Sequence, residues 1–163
     1  PIWYAQQHLP LYYGGIAVFI FHFIGGFGGL AGGFLSDKYS PKRIILTSFL
    51  LGTIFLVLFT YTAGSVSLLL LGLSGALLYS SIPTVITQAQ ATMPVHMGTV
   101  SSMVMGFTWG IGGLLVMVIS RFADVYDVLS VMQVLAYFPL IAACLTLALR
   151  IQRAEETKMP EYI

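Results

Sequence analysis

An all-α bundle of membrane-spanning helices is the fold class that three features of this sequence predict. The first is solvent preference: 58 % of the residues are hydrophobic, 8 % are charged and mean hydropathy is +0.91, whereas soluble domains are about a quarter charged. The second is an uncharged stretch. No Asp, Glu, Lys or Arg lies between Arg43 and Arg121, and since about 20 apolar residues cross a bilayer once, this segment must fold back on itself several times. The third is small residues at four-residue spacing, Gly25, Gly29 and Gly33 in one segment and Gly98, Ser102, Gly106 and Gly110 in another. Such stripes let helix backbones approach closely in lipid.

Three regions follow in order. Residues 1–13 carry Trp3, Tyr4, Tyr12 and Tyr13 around Gln6, Gln7 and His8, a mixture suited to the membrane–water interface. They are read as a helix end and a short external loop. Residues 14–149 hold five complete spans: Gly14 to Leu35, Ile44 to Thr62, Val66 to about Met93, a fourth from behind Pro94-Val95-His96 to Ser120, and Leu129 to Leu149. Pro83 lies inside the third and removes one backbone donor, for which Ser80, Ser81 or Thr84 could compensate. Pro139 lies near the middle of the fifth. Residues 150–163 are polar and read as a cytoplasmic tail.

Orientation follows from the bases. Lys38, Lys42 and Arg43 share one loop, Arg150, Arg153 and Lys158 share the tail, and only Arg121 falls on the opposite side. The positive-inside bias places the loop and the tail in the cytoplasm and residues 1–13 outside. A net charge of +1 gives no reason to expect nucleic acid, and the lone Cys144 reads as packing. The chain opens on Pro1 with no initiator Met and no signal peptide, so its start is expected to be a cut in a longer protein.

The segment GGFGGLAGGFLSDKYSPKR, residues 25–43, ends a glycine-laced apolar run at an acid and three bases. With Gly33, Asp37, Lys38, Lys42 and Arg43 in place, it resembles the loop signature of the major facilitator superfamily of transporters, with Pro41 standing where the family has a glycine. The resemblance implies the carboxy-terminal half of such a transporter: five complete transmembrane helices, the end of a sixth, and a loop that latches the cytoplasmic side. Residues 87–114 are similar to the fosmidomycin-resistance branch through Ala89, Gln90, Pro94, Gly98, Gly106, Phe107, Gly110, Gly112 and Gly113. Ala91 and Val95-His96 depart from that branch, which has an acid and a glycine-arginine pair there.

Shifting the chain by 87 positions lays Gly25-Gly26 on Gly112-Gly113, Asp37 on Asp124 and Tyr39 on Tyr126. One copy descends into the cytoplasm while the other emerges outside, as in the inverted repeats from which transporters are built. The alternative is chance similarity between two glycine-rich helices.

Candidate functional residues fall into three groups. Gly33, Asp37, Lys38, Lys42 and Arg43 form a conformational-switch loop, or else a plain positive-inside anchor. His22, Tyr79, Ser81, Gln88, Gln90, Trp109 and Gln133 could line a substrate cavity or serve as interhelical glue. Gly25, Gly29, Gly98, Ser102, Gly106 and Gly110 are packing positions. No metal cluster, paired-carboxylate site or nucleotide loop is present, so neither a cofactor nor an enzyme is expected. An intramembrane hydrolase would need Ser80 or Ser81 beside His22. The reading is a secondary active transporter half that moves a small organic solute or drug by alternating access, with proton-coupled efflux as one form. Its partners are the lipid bilayer, the missing amino-terminal helices, the substrate and protons. The alternative is a membrane scaffold or assembly subunit without transport.

Overall fold

The computed structural model describes residues 3–4 and 7–148, and within them every regular element is helical. The helices are α1 (Tyr12–Lys38), α2 (Pro41–Thr60), α3 (Gly64–Thr92), α4 (Met97–Val125), α5 (Val128–Ala136) and α6 (Phe138–Ala148), with a 3-10 turn at Pro94–His96 before α4. Counting α5 and α6 together, five helical stretches are long and apolar enough to cross a membrane. The cytoplasmic tail read at 150–163 lies outside the described residues.

α3 is the hub. It packs along both α1 and α2, which scarcely touch one another, while α4 leans on α3 and α5, and α6 packs on α2. The buried positions of α3 are Ser67, Gly72, Ser74, Gly75, Ser81 and Thr84, all small. With no hydrophobic force drawing helices together in lipid, close backbone approach is what binds them, and small side chains permit it. Larger apolar groups such as Leu69 and Leu73 stay exposed on its outer side.

The tightest approach is between α1 and α3, where the glycines in contact differ from the expected stripe. A Cβ at Gly28 would fall on the backbone of Ala76, one at Gly32 on that of Ser80, and one at Gly25 would lie 3.0 Å from the Tyr79 ring. By contrast, a Cβ at Gly29 would make ordinary contact, 3.7 Å from the Tyr79 carbonyl oxygen, and one at Gly33 would meet open space. Helical rotation explains the correction: at about 100° per residue, positions 25, 28 and 32 fall within about 60° of each other, while 33 lies about 140° from 28. Exact four-residue spacing drifts around the helix; alternating three and four does not. The seam is two-sided, because Gly72 and Gly75 of α3 meet Ile20, Ile24 and Phe21 of α1 in turn.

Several span ends also need correction. α1 runs three residues past Leu35, which puts Asp37 and Lys38 in its last turn rather than in a loop. Pro41 is the first residue of α2, a position where its missing N–H costs nothing, so Lys42 and Arg43 stand in the first turn of α2. The fourth helix continues beyond Ser120 to Val125, carrying Arg121 and Asp124 with it. Pro83 leaves α3 unbroken, but Ser80 and Ser81 donate to the carbonyls of Leu77 and Leu78, 2.6 and 2.7 Å, and Thr84 Oγ1 is buried without a partner. None of the three compensates the Tyr79 carbonyl that Pro83 frees; that oxygen faces Gly29. Pro139 behaves differently, since the fifth span breaks at Tyr137 into α5 and α6, as expected where a proline cannot donate to the carbonyl four residues back and its ring crowds it.

The 87-residue offset reappears in the helix ends. α1 closes on Tyr39 (φ −113°, ψ 160°), whose N–H donates to the Leu35 carbonyl, and α4 closes on Tyr126 (φ −105°, ψ 163°), whose N–H donates to Phe122. The next residues, Ser40 and Asp127, are the extended N-caps of α2 and α5. Equivalent positions therefore make equivalent stops and starts, with the two units running in opposite directions through the bundle.

Side-chain hydrogen bonds link the hub to its neighbours: Tyr4 Oη with Ser67 Oγ at 2.9 Å, Ser48 with Ser80 at 2.6 Å, and Gln90 Nε2 donating to Ser101 Oγ at 2.7 Å. Interhelical bonds in lipid contribute about 0.6 kcal/mol on average. Ser48→Ala should accordingly lower the unfolding free energy in mixed micelles by about that amount. A loss of several kcal/mol would show that the pair is part of something larger.

Candidate functional site

Two cavities are built into the bundle. One, about 470 Å³, lies between α1, α2 and α5 and is lined by Trp3, Tyr4, His22, Phe59 and Met132. Its wall is an aromatic cluster: the Trp3 ring sits 4.7 Å from Tyr4 and 4.9 Å from Phe59. The second, about 720 Å³, is a cleft between α3 and α4 floored by Phe49 of α2, with Tyr79 and Ser81 on one side and Met105, Thr108 and Trp109 on the other. Volumes of this order hold drug-sized molecules.

Of the residues expected to line a cavity, three meet in the α3–α4 cleft: Tyr79, Ser81 and Trp109. His22 belongs to the other cavity, with its Nδ1 3.0 Å from the Val18 carbonyl one turn back. Gln90 is tied to Ser101, so it acts as glue between α3 and α4. Gln88 and Gln133 line neither cavity. Among the described residues no hydrogen bond joins His22 to Ser80 or Ser81, and those two hydroxyls already donate to their own helix. The pairing that a hydrolase would require is not formed.

Tyr79 is the joint between the two cavities. Its ring lies over Gly25, where only the absence of a side chain leaves room, and it meets Phe21 and His22 edge-on at 5.8 and 6.0 Å. The same side chain then forms part of the cleft wall. The sequence marks Tyr79 as a polar group in a span but gives no sign that Gly25 makes its seat. A glycine one face away from an aromatic is visible only once the helices are paired.

Nothing among the described residues packs closely against the second small-residue stripe. A Cβ added at Gly98, Gly106 or Gly110 would meet nothing within 4 Å, Ser102 is exposed, and none of α4 is buried.

At the opposite end of α1, Asp37 is exposed and makes no ion pair among the described residues. Lys42 reaches across the bundle, Nζ donating to the Leu147 carbonyl at 2.8 Å. The start of α2 and the end of α6 are thereby held at the same end of the bundle.

Five apolar spans around a small-residue hub, enclosing a drug-sized cleft, define a multi-pass integral membrane protein that embeds in a lipid bilayer. The model of the Major Facilitator Superfamily matches residues 1–117, and the chain belongs to that superfamily of membrane transporters. It is 30 % identical over 137 residues to the fosmidomycin resistance protein of Escherichia coli (strain K12), covering 84 % of this chain and 32 % of that one. It is 25 % identical over 124 residues to the uncharacterized MFS-type transporter YfnC of Bacillus subtilis (strain 168), covering 76 % of this chain and 30 % of that one. The chain thus spans about a third of the length of these curated relatives. The likeness to the fosmidomycin-resistance branch, expected from residues 87–114, is borne out. No solved structure matches significantly.

Proposed function

We propose that this chain is the carboxy-terminal half of a secondary active transporter that expels a small organic solute or drug by alternating access, driven by protons. The observation that carries the reading is the α3–α4 cleft: a scaffold subunit needs only dry contact between its helices, whereas this bundle leaves about 720 Å³ beside Tyr79, Ser81 and Trp109. Further support comes from the uncovered small-residue face of α4, which offers a smooth surface to helices beyond this chain. Asp37 and the bases around it then serve as the switch loop, and the Escherichia coli relative is named for resistance to a drug.

The direct test is accessibility of the cleft from each side. In the full-length protein with Cys144 replaced by serine, a cysteine at Thr108 should react from one side of a proteoliposome at rest and from the other when a proton gradient is imposed. Reaction from one side only, whatever the gradient, would remove alternating access. Orientation is checked on the same background: a cysteine at Ser40 should be labelled only from the cytoplasm and one at Ser65 only from outside. Labelling at Ser40 in intact cells from outside would invert the topology.

A further inference from the structure

Granting the transport reading, we infer that the α3–α4 cleft takes lipophilic aromatic molecules without an anionic group, with Tyr79 and Trp109 as its specificity-determining side chains. The inference comes from the charge and hydrogen-bonding inventory of the wall. Among the described residues no Lys, Arg, His, Asp or Glu lines the cleft. The chain's described cations stand at helix ends, Lys38 in the last turn of α1, Lys42 and Arg43 in the first turn of α2, and Arg121 in the last turns of α4. A phosphonate-like dianion brought against this wall would lose its hydration with no counter-charge, the least favourable burial available to a ligand.

What the wall does offer is narrow. Ser81 and Thr108 already donate to the carbonyls of Leu78 and Val104, at 2.7 and 2.6 Å, so they retain only acceptor capacity. Tyr79 Oη and Trp109 Nε1 have no hydrogen-bond partner among the described residues, and Trp109 is 76 % exposed, its ring available to a guest. The rings of Tyr79 and Trp109, set among mostly aliphatic side chains over Phe49, favour a flat, apolar guest by stacking and area burial. Two unengaged donors add orientation to a guest carrying one or two neutral acceptors. The cleft is therefore complementary to a different chemistry from that in the name of the 30 %-identical relative.

The test uses the full-length transporter in detergent and two probes, the neutral N-phenyl-1-naphthylamine and fosmidomycin itself. Saturable enhancement of naphthylamine fluorescence above the detergent background is expected, weakened at least about tenfold in Trp109→Ala and kept within about twofold in Trp109→Phe. Fosmidomycin should not displace the dye. Should Trp109→Ala fold poorly, Val104→Trp, which fills the cleft, must abolish the saturable signal. Fosmidomycin transport by a protein that binds no naphthylamine would overturn this inference and leave the transport reading standing. Saturable, Trp109-dependent dye binding without transport of any compound would do the reverse. A dye signal that is not saturable, or that survives both substitutions, means partition into lipid or detergent and refutes the site.

Discussion

Replacing Gly28 with alanine should separate α1 from α3 and strongly destabilise the bundle, although on helix propensity alone it would be a favourable change. Glycine in a helix interior is about 1 kcal/mol worse than alanine, so an exposed glycine replaced by alanine gains up to that much. At Gly28 the new Cβ would fall on the backbone of Ala76, and a backbone cannot swing aside as the tip of a side chain can. The helices must move apart along the whole seam, and Gly32 against Ser80 and Gly75 against Phe21 lose their fit with it. Overpacking costs typically about 1–3 kcal/mol, and more is expected where two rigid helices are the parties. Gly33→Ala is the matched control, since its Cβ meets open space, and it should be neutral or slightly stabilising. Thermal unfolding and monodisperse yield in detergent check the pair. Equal losses for both would mean that the seam does not govern stability.

The difference between those two glycines shows where the sequence is legible and where it is not. Composition, the uncharged stretch from Arg43 to Arg121 and the positions of Pro41 and Pro94 suffice for the class, the number of spans and their ends to within a few residues. Each of these depends on one segment and its solvent. Which face of a segment meets which neighbour depends on two segments, and a helix that is apolar all round gives no amphipathic stripe to reveal it. Glycine spacing is the remaining signal, and it is ambiguous in α1 because positions 25, 26, 28, 29, 32 and 33 are all glycine. A count of rotation favours three-then-four spacing, but 25, 28 and 32 share it with 26, 29 and 33, and only the pairing with α3 chooses between the two sets. The 87-residue offset is legible because it repeats a stop signal, an acid followed two residues on by tyrosine, which local capping geometry enforces in both copies.

The candidate site divides along the same line. Tyr79, Ser81 and Trp109 are identifiable as amphipathic groups inside spans, yet nothing in their sequence positions separates them from Gln88, Gln133 or His22. Their convergence follows from the pairing of α3 with α4, where Gln90 bonded to Ser101 holds one end together. Gln90 itself leaves the cavity list for a physical reason. A primary amide in lipid takes the first hydroxyl within reach, and Ser101 lies just across the short turn at Pro94–His96.

Asp37→Asn is expected to give a protein that is made and inserted normally but transports poorly, and this result separates a switch from an anchor. Asparagine keeps the size and most hydrogen-bonding capacity of aspartate, and the last turn of α1 retains its cap through the Tyr39 N–H to Leu35. Orientation is secured by Lys38, Lys42 and Arg43, and Lys42 keeps its bond to Leu147. Folding therefore has little to lose, because an exposed carboxylate with no ion partner among the described residues stabilises the bundle hardly at all. If Asp37 engages cations outside this chain in one conformation only, asparagine removes an interaction that the other conformation never had. The equilibrium then shifts by the lost differential energy and no more, about 1.4 kcal/mol for each tenfold change in population. The shift should favour the state open to the cytoplasm, seen as faster labelling of a cysteine at Gln90 together with a transport rate reduced about tenfold. Ordinary transport with unchanged labelling would reduce the loop to a positive-inside anchor, and the switching residue would have to be sought elsewhere.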